Sequence, residues 1–279
     1  MTTMTHPVVV GVDGSAPAVA AALWAAAEAE LRQAPLVVLV VNDDPEREDH
    51  ATSAAHEAAD QCRQRSPGVD VVEEVVHGHV VEELLARSAR SQLVVLGSRG
   101  RGGFASMLLG SVSTSVASHA HCPVVVVRGG GKATGPVVVG VDDSPASDAA
   151  LEFAFGMAAE HRASLVAVQA WQEAAFGFTF IDTTPLPDWD VVGQRIATHL
   201  AEKLAAWHQQ YPAVHTLVLD RRSHPVVALT DVAQAARLLV VGHRGRGGFA
   251  GMLLGSVAHG VLHHAACPVA VVRAPRQPR

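Results

Sequence analysis

The chain contains one sequence unit twice, and this repeat constrains its fold more than any other feature. Three stretches recur in the same order with few substitutions between the copies. They are RGRGGFASMLLGSV at 99–112 and RGRGGFAGMLLGSV at 244–257, PVVVGVDGS at 7–15 and PVVVGVDDS at 136–144, and CPVVVVR at 122–128 and CPVAVVR at 267–273. Self-similarity of this kind predicts two domains of the same fold.

The length of 279 residues also fits two domains of ordinary size. We predict a first domain at 1–130, a linker at 131–136 and a second domain at 137–279. The linker region is rich in glycine and ends at Pro136, so it is expected to be flexible and unable to continue a strand. Because 49% of the residues are hydrophobic, each domain can bury a core of its own.

Short Val-rich runs alternate with Ala-rich periodic stretches along each copy. For the first copy we expect strands at 8–12, 36–41, 69–76, 93–97 and 124–127, and helices at 20–31, 52–64, 80–89 and 111–120. Ser15 and Pro17 form a cap and early-helix pair that opens the first helix. The alternation predicts an α/β fold with a parallel, doubly wound sheet. Ligands of such sheets bind at the carboxyl ends of the strands, so the loops after Val12, Val41 and Leu96 should share one rim.

A spaced glycine pattern lies on that rim. Gly97-x-x-Gly100 is followed, after nine residues, by Gly110-Ser111, and the second copy repeats the pattern at the corresponding positions. Glycines let backbone N–H groups approach a phosphate closely and adopt positive φ at little cost. A helix that begins at Ser111 directs free N–H groups and partial positive charge to the same point, and Arg99 adds a cation. The alternative is a flexible loop between a strand and a helix.

Each first strand ends at an aspartate on the same rim, Asp13 or Asp142. A carboxylate there can accept hydrogen bonds from ribose hydroxyls or an exocyclic amine. Val41 and Ala170 end the second strands and are suited to lie against a base. Both pairs are separated by the same offset, since 142 − 13 and 170 − 41 each give 129. The alternative for the aspartates is capping of the first helix of each copy.

The G-2x-G-9x-G-[S/T] pattern, the GVD[G/D]S first strand and the Cys-Pro-Val last strand together resemble the universal stress protein family, in its tandem-domain form. The resemblance covers essentially the whole chain. It implies a Rossmann-like, five-stranded sheet in each domain and ATP as the ligand, with Mg²⁺ or Mn²⁺ held by the ATP phosphates rather than by protein ligands. It also implies that the first-strand aspartate and the second-strand backbone hold the adenosine, while the glycines and the serine hold the phosphates.

Carried onto this sequence, the resemblance gives one site in each domain. The first comprises Val12, Asp13, Val41, Gly97, Arg99, Gly100, Gly110, Ser111, Val112 and Ser113. The second comprises Val141, Asp142, Ala170, Gly242, Arg244, Gly245, Gly255, Ser256 and Val257. The second copy departs from the first where Asp143 replaces Gly14 and Ser223 replaces Gly78. We therefore expect the second site to bind more weakly.

The net charge, the length of the apolar stretches and the cysteine content exclude some classes of function. The net charge of −6 argues against a general nucleic-acid or membrane-surface binder. No apolar stretch is long enough to cross a bilayer, and the N-terminal residues do not resemble a secretion signal. The three cysteines have no metal-ligand spacing and suit a reducing compartment, so we expect a cytoplasmic protein.

Two features point to protein partners. The segment at 171–190 breaks the repeat and concentrates aromatic residues, namely Trp171, Phe176, Phe178, Phe180 and Trp189. It is either a partner-binding patch or lid, or a loop that folds back on its own or the sister domain. The last strands, at 124–127 and 269–272, are Val-rich edges, and the family resemblance implies pairing of such strands across domains and subunits, hence a homodimer through them.

These features favour a regulatory ATP-binding protein in stress or growth control over two alternatives. A slow ATPase or phosphotransferase would use the same pockets, but no general base is evident and no Walker-type GKS or GKT follows the glycines. The other alternative is an interaction scaffold without nucleotide.

Overall fold

The computed structural model of the chain describes residues 6–101, 109–128, 134–172, 188–246 and 253–274. Strands and helices alternate in both halves, as expected from the sequence. The first half contains β1 (Val8–Gly11), α1 (Ala16–Arg32), β2 (Leu36–Asn42), α2 (Glu48–Arg65), β3 (Val71–His77), α3 (Val80–Ser88), β4 (Leu93–Gly97), α4 (Ser111–His119) and β5 (Val124–Val127). The second contains β6 (Val137–Gly140), α5 (Pro145–Glu160), β7 (Leu165–Trp171), α6 (Trp189–Gln210), β8 (Thr216–Arg222), α7 (Pro225–Val232), β9 (Leu238–Gly242), α8 (Ser256–His264) and β10 (Val269–Val272).

All ten of these strands form one sheet, in the order β3-β2-β1-β4-β5-β10-β9-β6-β7-β8. Within each half every pairing is parallel, and β1 lies between β2 and β4 with Val8 opposite both Leu36 and Leu93. The chain therefore winds outward through β2 and β3 and then reverses to β4 and β5. The reversal opens a crevice at the carboxyl ends of β1 and β4, where ligands of doubly wound sheets bind.

The two halves join through their last strands. β5 and β10 pair antiparallel, with Val126 opposite Val269 and Val124 opposite Val271. Each also pairs with its own neighbour, β4 or β9, so neither keeps a free edge. The expected pairing across domains thus occurs within a single chain. A homodimer formed by adding a strand to β5 or β10 is incompatible with this arrangement, and a second copy would need another surface.

The first helix of each half begins as its sequence predicts. The Ser15 hydroxyl accepts a hydrogen bond from the Ala18 N–H at 3.4 Å, and Pro17 lies in the first turn of α1. Ser144 caps α5 in the same way through the Ser147 N–H at 3.2 Å. Both helices bury alanine-rich faces, which lets their backbones lie close to the sheet.

The sheet separates two hydrophobic layers. One lies under α1, α2, α5 and α6, and the other lies under α3, α4, α7 and α8. The main departure from the sequence expectation is that α2 begins at Glu48 rather than near Thr52, because a 3₁₀ turn at Pro45–Arg47, capped by Asp44, leads directly into it. No helix in the described part of the chain combines the length and apolar character that a bilayer crossing requires.

Candidate functional site

A cleft of about 490 Å³ opens at the carboxyl ends of β1, β2 and β4. Its volume lies within the range of small-molecule sites. The loops after these three strands and parts of α2, α3 and α4 form its walls. All ten residues of the predicted first site line it, namely Val12, Asp13, Val41, Gly97, Arg99, Gly100, Gly110, Ser111, Val112 and Ser113.

The Asp13 carboxylate connects two loops at the floor of the cleft. Its Oδ1 accepts a hydrogen bond from the Ser15 N–H at 3.0 Å, and its Oδ2 accepts one from the Arg101 N–H at 2.7 Å. Capping of α1 itself is done by Ser15, so the aspartate holds the loop after β4 against the end of β1. A carboxylate oxygen has more than one lone pair, so Asp13 keeps acceptor capacity for a ligand hydroxyl or amine.

Two of the motif glycines are required by the protein's own packing. A Cβ at Gly100 would lie 2.5 Å from Asp13 Oδ2, and a Cβ at Gly97 would lie 2.8 Å from the backbone carbon and oxygen of Pro17. The expectation of positive φ at these two glycines is wrong. Positive φ occurs instead at Gly14 (79°) and Gly78 (149°).

Gly110 is a different case, because it begins α4. Its φ of −77° and ψ of 151° are open to any residue, and a Cβ there would meet its nearest neighbour, Ser98 O, at 3.6 Å. Glycine has no side chain with which to cap a helix, so α4 starts without a side-chain cap, whereas α1 has one. The first-turn residues of α4, Ser111 to Ser113, line the cleft. The cleft therefore contains a helix N-terminus whose orphan N–H groups lack a side-chain acceptor.

The serines of α4 have roles that the sequence did not separate. Ser111 is exposed and is the first residue of the helix, not its cap. Ser113 is buried, and its hydroxyl donates a hydrogen bond to the Gly97 carbonyl at 2.7 Å, which joins α4 to the end of β4. The second copy has Ala258 at this position, so that link belongs to the first domain alone.

Further cleft residues, which were missed in the sequence, come from β2, from α2 and from the segment between them. They include Asn42, Asp43, Arg47, His50, Ala51 and Ala54. The early start of α2 brings its first turns over the rim. Arg101 also lines the cleft. With Arg99 and Arg47 it gives the cleft three guanidinium groups, which suit an anion.

In the second domain, the contacts of the aspartate and of two motif glycines repeat those of the first. Asp142 accepts hydrogen bonds from the Ser144 N–H at 3.2 Å and the Arg246 N–H at 3.0 Å. A Cβ at Gly245 would collide with the Asp142 carboxylate, and one at Gly242 would lie 2.9 Å from backbone atoms of Ala146.

The start of α8 repeats the start of α4. Gly255 precedes α8 without a side-chain cap and donates its N–H to the His243 carbonyl at 2.8 Å. Ser256 and Val257 begin the helix, as Ser111 and Val112 begin α4. The Ser144 hydroxyl donates to Asp142 Oδ1 at 2.6 Å, and the Arg244 carbonyl oxygen lies 3.3 Å from the same hydroxyl. Val141 follows β6, and Ala170 is the penultimate residue of β7.

His243 takes the place of Ser98 in the second domain. Burial, helped by the nearby charges of Arg273 and Arg244, lowers the pKa of His243 to about 4. The imidazole is therefore neutral at pH 7, and within the described ranges its buried Nδ1 has no hydrogen-bond partner. No local pattern points to this histidine, because its burial depends on packing between elements distant along the chain.

The aromatic segment at 171–190 is described only at its ends. Trp171 and Trp189 pack against each other with ring centroids 5.9 Å apart, and the Arg222 guanidinium lies 5.2 Å from the Trp189 ring centroid. Both ends therefore lie against their own domain. Phe176, Phe178 and Phe180 lie outside the described residues.

Each half of the molecule is thus a Rossmann-like α/β unit. At the carboxyl edge of its sheet, the first-strand aspartate holds the loop that follows β4 or β9, called the glycine loop below, and the helix after that loop begins without a side-chain cap. The sequence model of the Universal stress protein family matches residues 4–128 and again 134–273. The chain belongs to the universal stress protein family, with two such domains in tandem.

Relatives match along nearly the whole chain. A universal stress protein of Mycolicibacterium smegmatis is 37% identical, over 96% of this chain and 97% of its own length. Universal stress protein Rv2005c of Mycobacterium tuberculosis is 40% identical, again over 96% of this chain and 97% of its own length. Among solved structures, a universal stress protein from Archaeoglobus fulgidus has a TM-score of 0.72 at 20% identity, covering 97% of this chain and 99% of the other, which supports the fold.

Proposed function

We propose that the protein is a nucleotide-dependent regulator that binds ATP, with Mg²⁺ or Mn²⁺ carried on the phosphates, at the carboxyl edge of its sheet. The observation that carries the proposal is the uncapped N-terminus of α4 opening into the 490 Å³ cleft. Orphan N–H groups and the helix dipole together form an anion site.

The rest of the cleft suits a nucleotide rather than a free anion. Apolar side chains from β2, α3 and the loop before α4 line it, including Val41, Val80, Leu84 and Leu109. An adenine base against that wall would leave the ribose near the Asp13 carboxylate. The phosphates would then extend to the N-terminus of α4 and Arg99. A divalent cation on the phosphates would reduce their charge. Asp43 contributes a carboxylate to the lining of the same cleft.

The second-domain residues from Val141 to Val257 form the second candidate site. Regulation would follow from differential binding, since a nucleotide shifts association only when it prefers one state.

We place the protein in the cytoplasm because its three cysteines are free thiols. Burial raises the pKa of Cys62 and of Cys267 to about 11, so these two thiols stay protonated and unreactive.

Thermal unfolding with added nucleotide tests the proposal. Mg-ATP at 100 times its dissociation constant should stabilise the folded chain by about 2.7 kcal/mol. Gly110→Ala should reduce that stabilisation, because its methyl group enters the space between Ser98 O and the phosphate position. Gly68→Ala is the matched control, because a Cβ there meets nothing within 4 Å and Gly68 lies outside the cleft. Equal ATP responses in both variants would contradict the placement, and no response in the wild type would refute ATP binding.

Phosphate release under multiple turnover separates a regulator from an enzyme. A regulator should release phosphate far more slowly than ordinary enzymes turn over, which is about 10 s⁻¹. A rate near that value, lost in Gly110→Ala and kept in Gly68→Ala, would overturn the regulatory role in favour of an ATPase.

A further inference from the structure

The two domains differ at the residue that follows the first-strand aspartate. Gly14 and Asp143 occupy equivalent positions, and both have left-handed backbone, with φ of 79° and 58°. Glycine adopts this conformation freely, and Asp is among the few other residues that tolerate it. The backbone conformation is therefore shared at this position, and the two domains differ there by the Asp143 side chain.

The surroundings of Gly14 show where such a side chain must go. A Cβ on Gly14 would lie 3.3 Å from Ala54 Cβ on α2 and 3.6 Å from Cζ of Arg101 in the glycine loop. Both Ala54 and Arg101 line the first cleft. A side chain at this position therefore projects between the helix and the loop that form two walls of the cleft.

In the second domain, Asp143 fills that space and its carboxylate contacts a lysine, an arginine and a histidine. Its Oδ1 is 3.2 Å from His199 Nε2 and 3.3 Å from Lys203 Nζ, both on α6. Its Oδ2 forms an ion pair with Arg246 of the glycine loop, the counterpart of Arg101. Lys203 is shared with Asp148, whose Oδ1 lies 2.6 Å away.

These contacts link the walls that an entering nucleotide would have to separate. The Asp143 side chain is 19% exposed, as is that of Lys203. Burial tends to raise the pKa of Asp143, but Arg246, His199 and Lys203 outweigh it, so the pKa lies below its ordinary value and the carboxylate is ionised at pH 7. Lys203 and Arg246, which could attract a polyphosphate, are thus already paired with an internal anion.

We propose that Asp143 makes the second domain an internally neutralised copy of the site, so that Mg-ATP binds in the first domain only. This rests on the proposed function and assigns it to one half of the chain. The second domain then serves as the fixed partner of the first across the β5–β10 pairing, and Asp143 determines which half takes the ligand.

An exchange of the two residues tests the assignment. The number of Mg-ATP molecules bound per chain would be measured by isothermal titration calorimetry for the wild type, Gly14→Asp, Asp143→Gly and the double exchange. We expect one, none, two and one bound Mg-ATP per chain, respectively. At each site that is lost or gained, the affinity should change about tenfold or more, because a negative charge next to the polyphosphate is added or removed. Asp143→Asn is the control for shape, and it should also gain the second site because it lacks the charge.

The results of this titration distinguish the role of Asp143 from the proposed binding of ATP. Two equal sites in the wild type, or one site in both wild type and Asp143→Gly, would overturn the role of Asp143 while leaving ATP binding intact. No binding in any variant would refute the proposed function and this inference with it. The double exchange reports on folding, because it contains both substitutions and should still bind one ATP.

Discussion

Replacement of Gly97 by alanine should destabilise the fold without any reference to a ligand. The new Cβ would lie 2.8 Å from the Pro17 backbone carbon and oxygen, where ordinary contact begins at 3.4 Å. The first turn of α1 would therefore have to move by about 0.6 Å from β4, because neither neighbour is a side chain that can rotate. Overpacking of this kind costs about 1–3 kcal/mol.

One opposing effect reduces that cost. Alanine restricts the unfolded chain more than glycine does, which favours the folded state by about 0.4–1 kcal/mol where the backbone permits it. With the middle of each range, about 2 and about 0.7 kcal/mol, the net loss for Gly97→Ala is about 1.3 kcal/mol. At about 2–4 °C per kcal/mol for a chain of this size class, the midpoint of thermal unfolding should fall by about 3–5 °C.

The assay is thermal unfolding followed by circular dichroism in the absence of nucleotide. Gly68→Ala is the control and should melt at or slightly above the wild-type temperature, since its Cβ has open space. Gly110→Ala should melt close to the wild type, because its Cβ meets nothing nearer than 3.6 Å. A Gly97→Ala melting temperature equal to that of Gly68→Ala would refute the close approach of α1 to the end of β4.

Two further predictions concern the second domain and the junction between domains. The unfolded chain should protonate His243 near pH 6.5 but the folded chain only near pH 4, so stability conferred by the neutral imidazole is complete above pH 6.5 and is lost as the pH falls toward 4. Urea unfolding at pH 7 and pH 5 should show a smaller pH dependence in His243→Ser, and an unchanged dependence would contradict the buried position. Arg128 donates to the Leu262 carbonyl near the end of α8 at 2.8 Å, so Arg128→Met should lower unfolding free energy by about 1.5–3 kcal/mol in the same assay. A loss below about 0.5 kcal/mol would show that the contact contributes little.

Sequence periodicity was enough to predict the elements and their order. The Ser15 cap and the Val-rich strands depend on neighbouring residues, and the doubly wound order follows from the alternation of strands and helices. The shared rim also follows, because parallel strands end at the same edge. For that reason all ten residues proposed for the first site line one cleft.

The structural role of individual residues, in contrast, depends on contacts between segments that are far apart in the sequence. A glycine is required at position 97 by the close approach of α1, and at position 100 by the Asp13 carboxylate. The contacts of Asp143 with α6 and the glycine loop join residues that are 56 to 103 positions apart in the chain. No local pattern encodes such distances. The sequence shows that Asp143 replaces Gly14, but it does not show that this carboxylate contacts His199, Lys203 and Arg246.

A crystal structure of the full chain grown with saturating Mg-ATP is the most direct test of ATP binding at the first cleft. We expect adenine against Val41, the ribose within hydrogen-bond reach of Asp13, and phosphate oxygens on the N–H groups at the start of α4. Nucleotide bound elsewhere, or a cleft that holds only water under those conditions, would contradict the account.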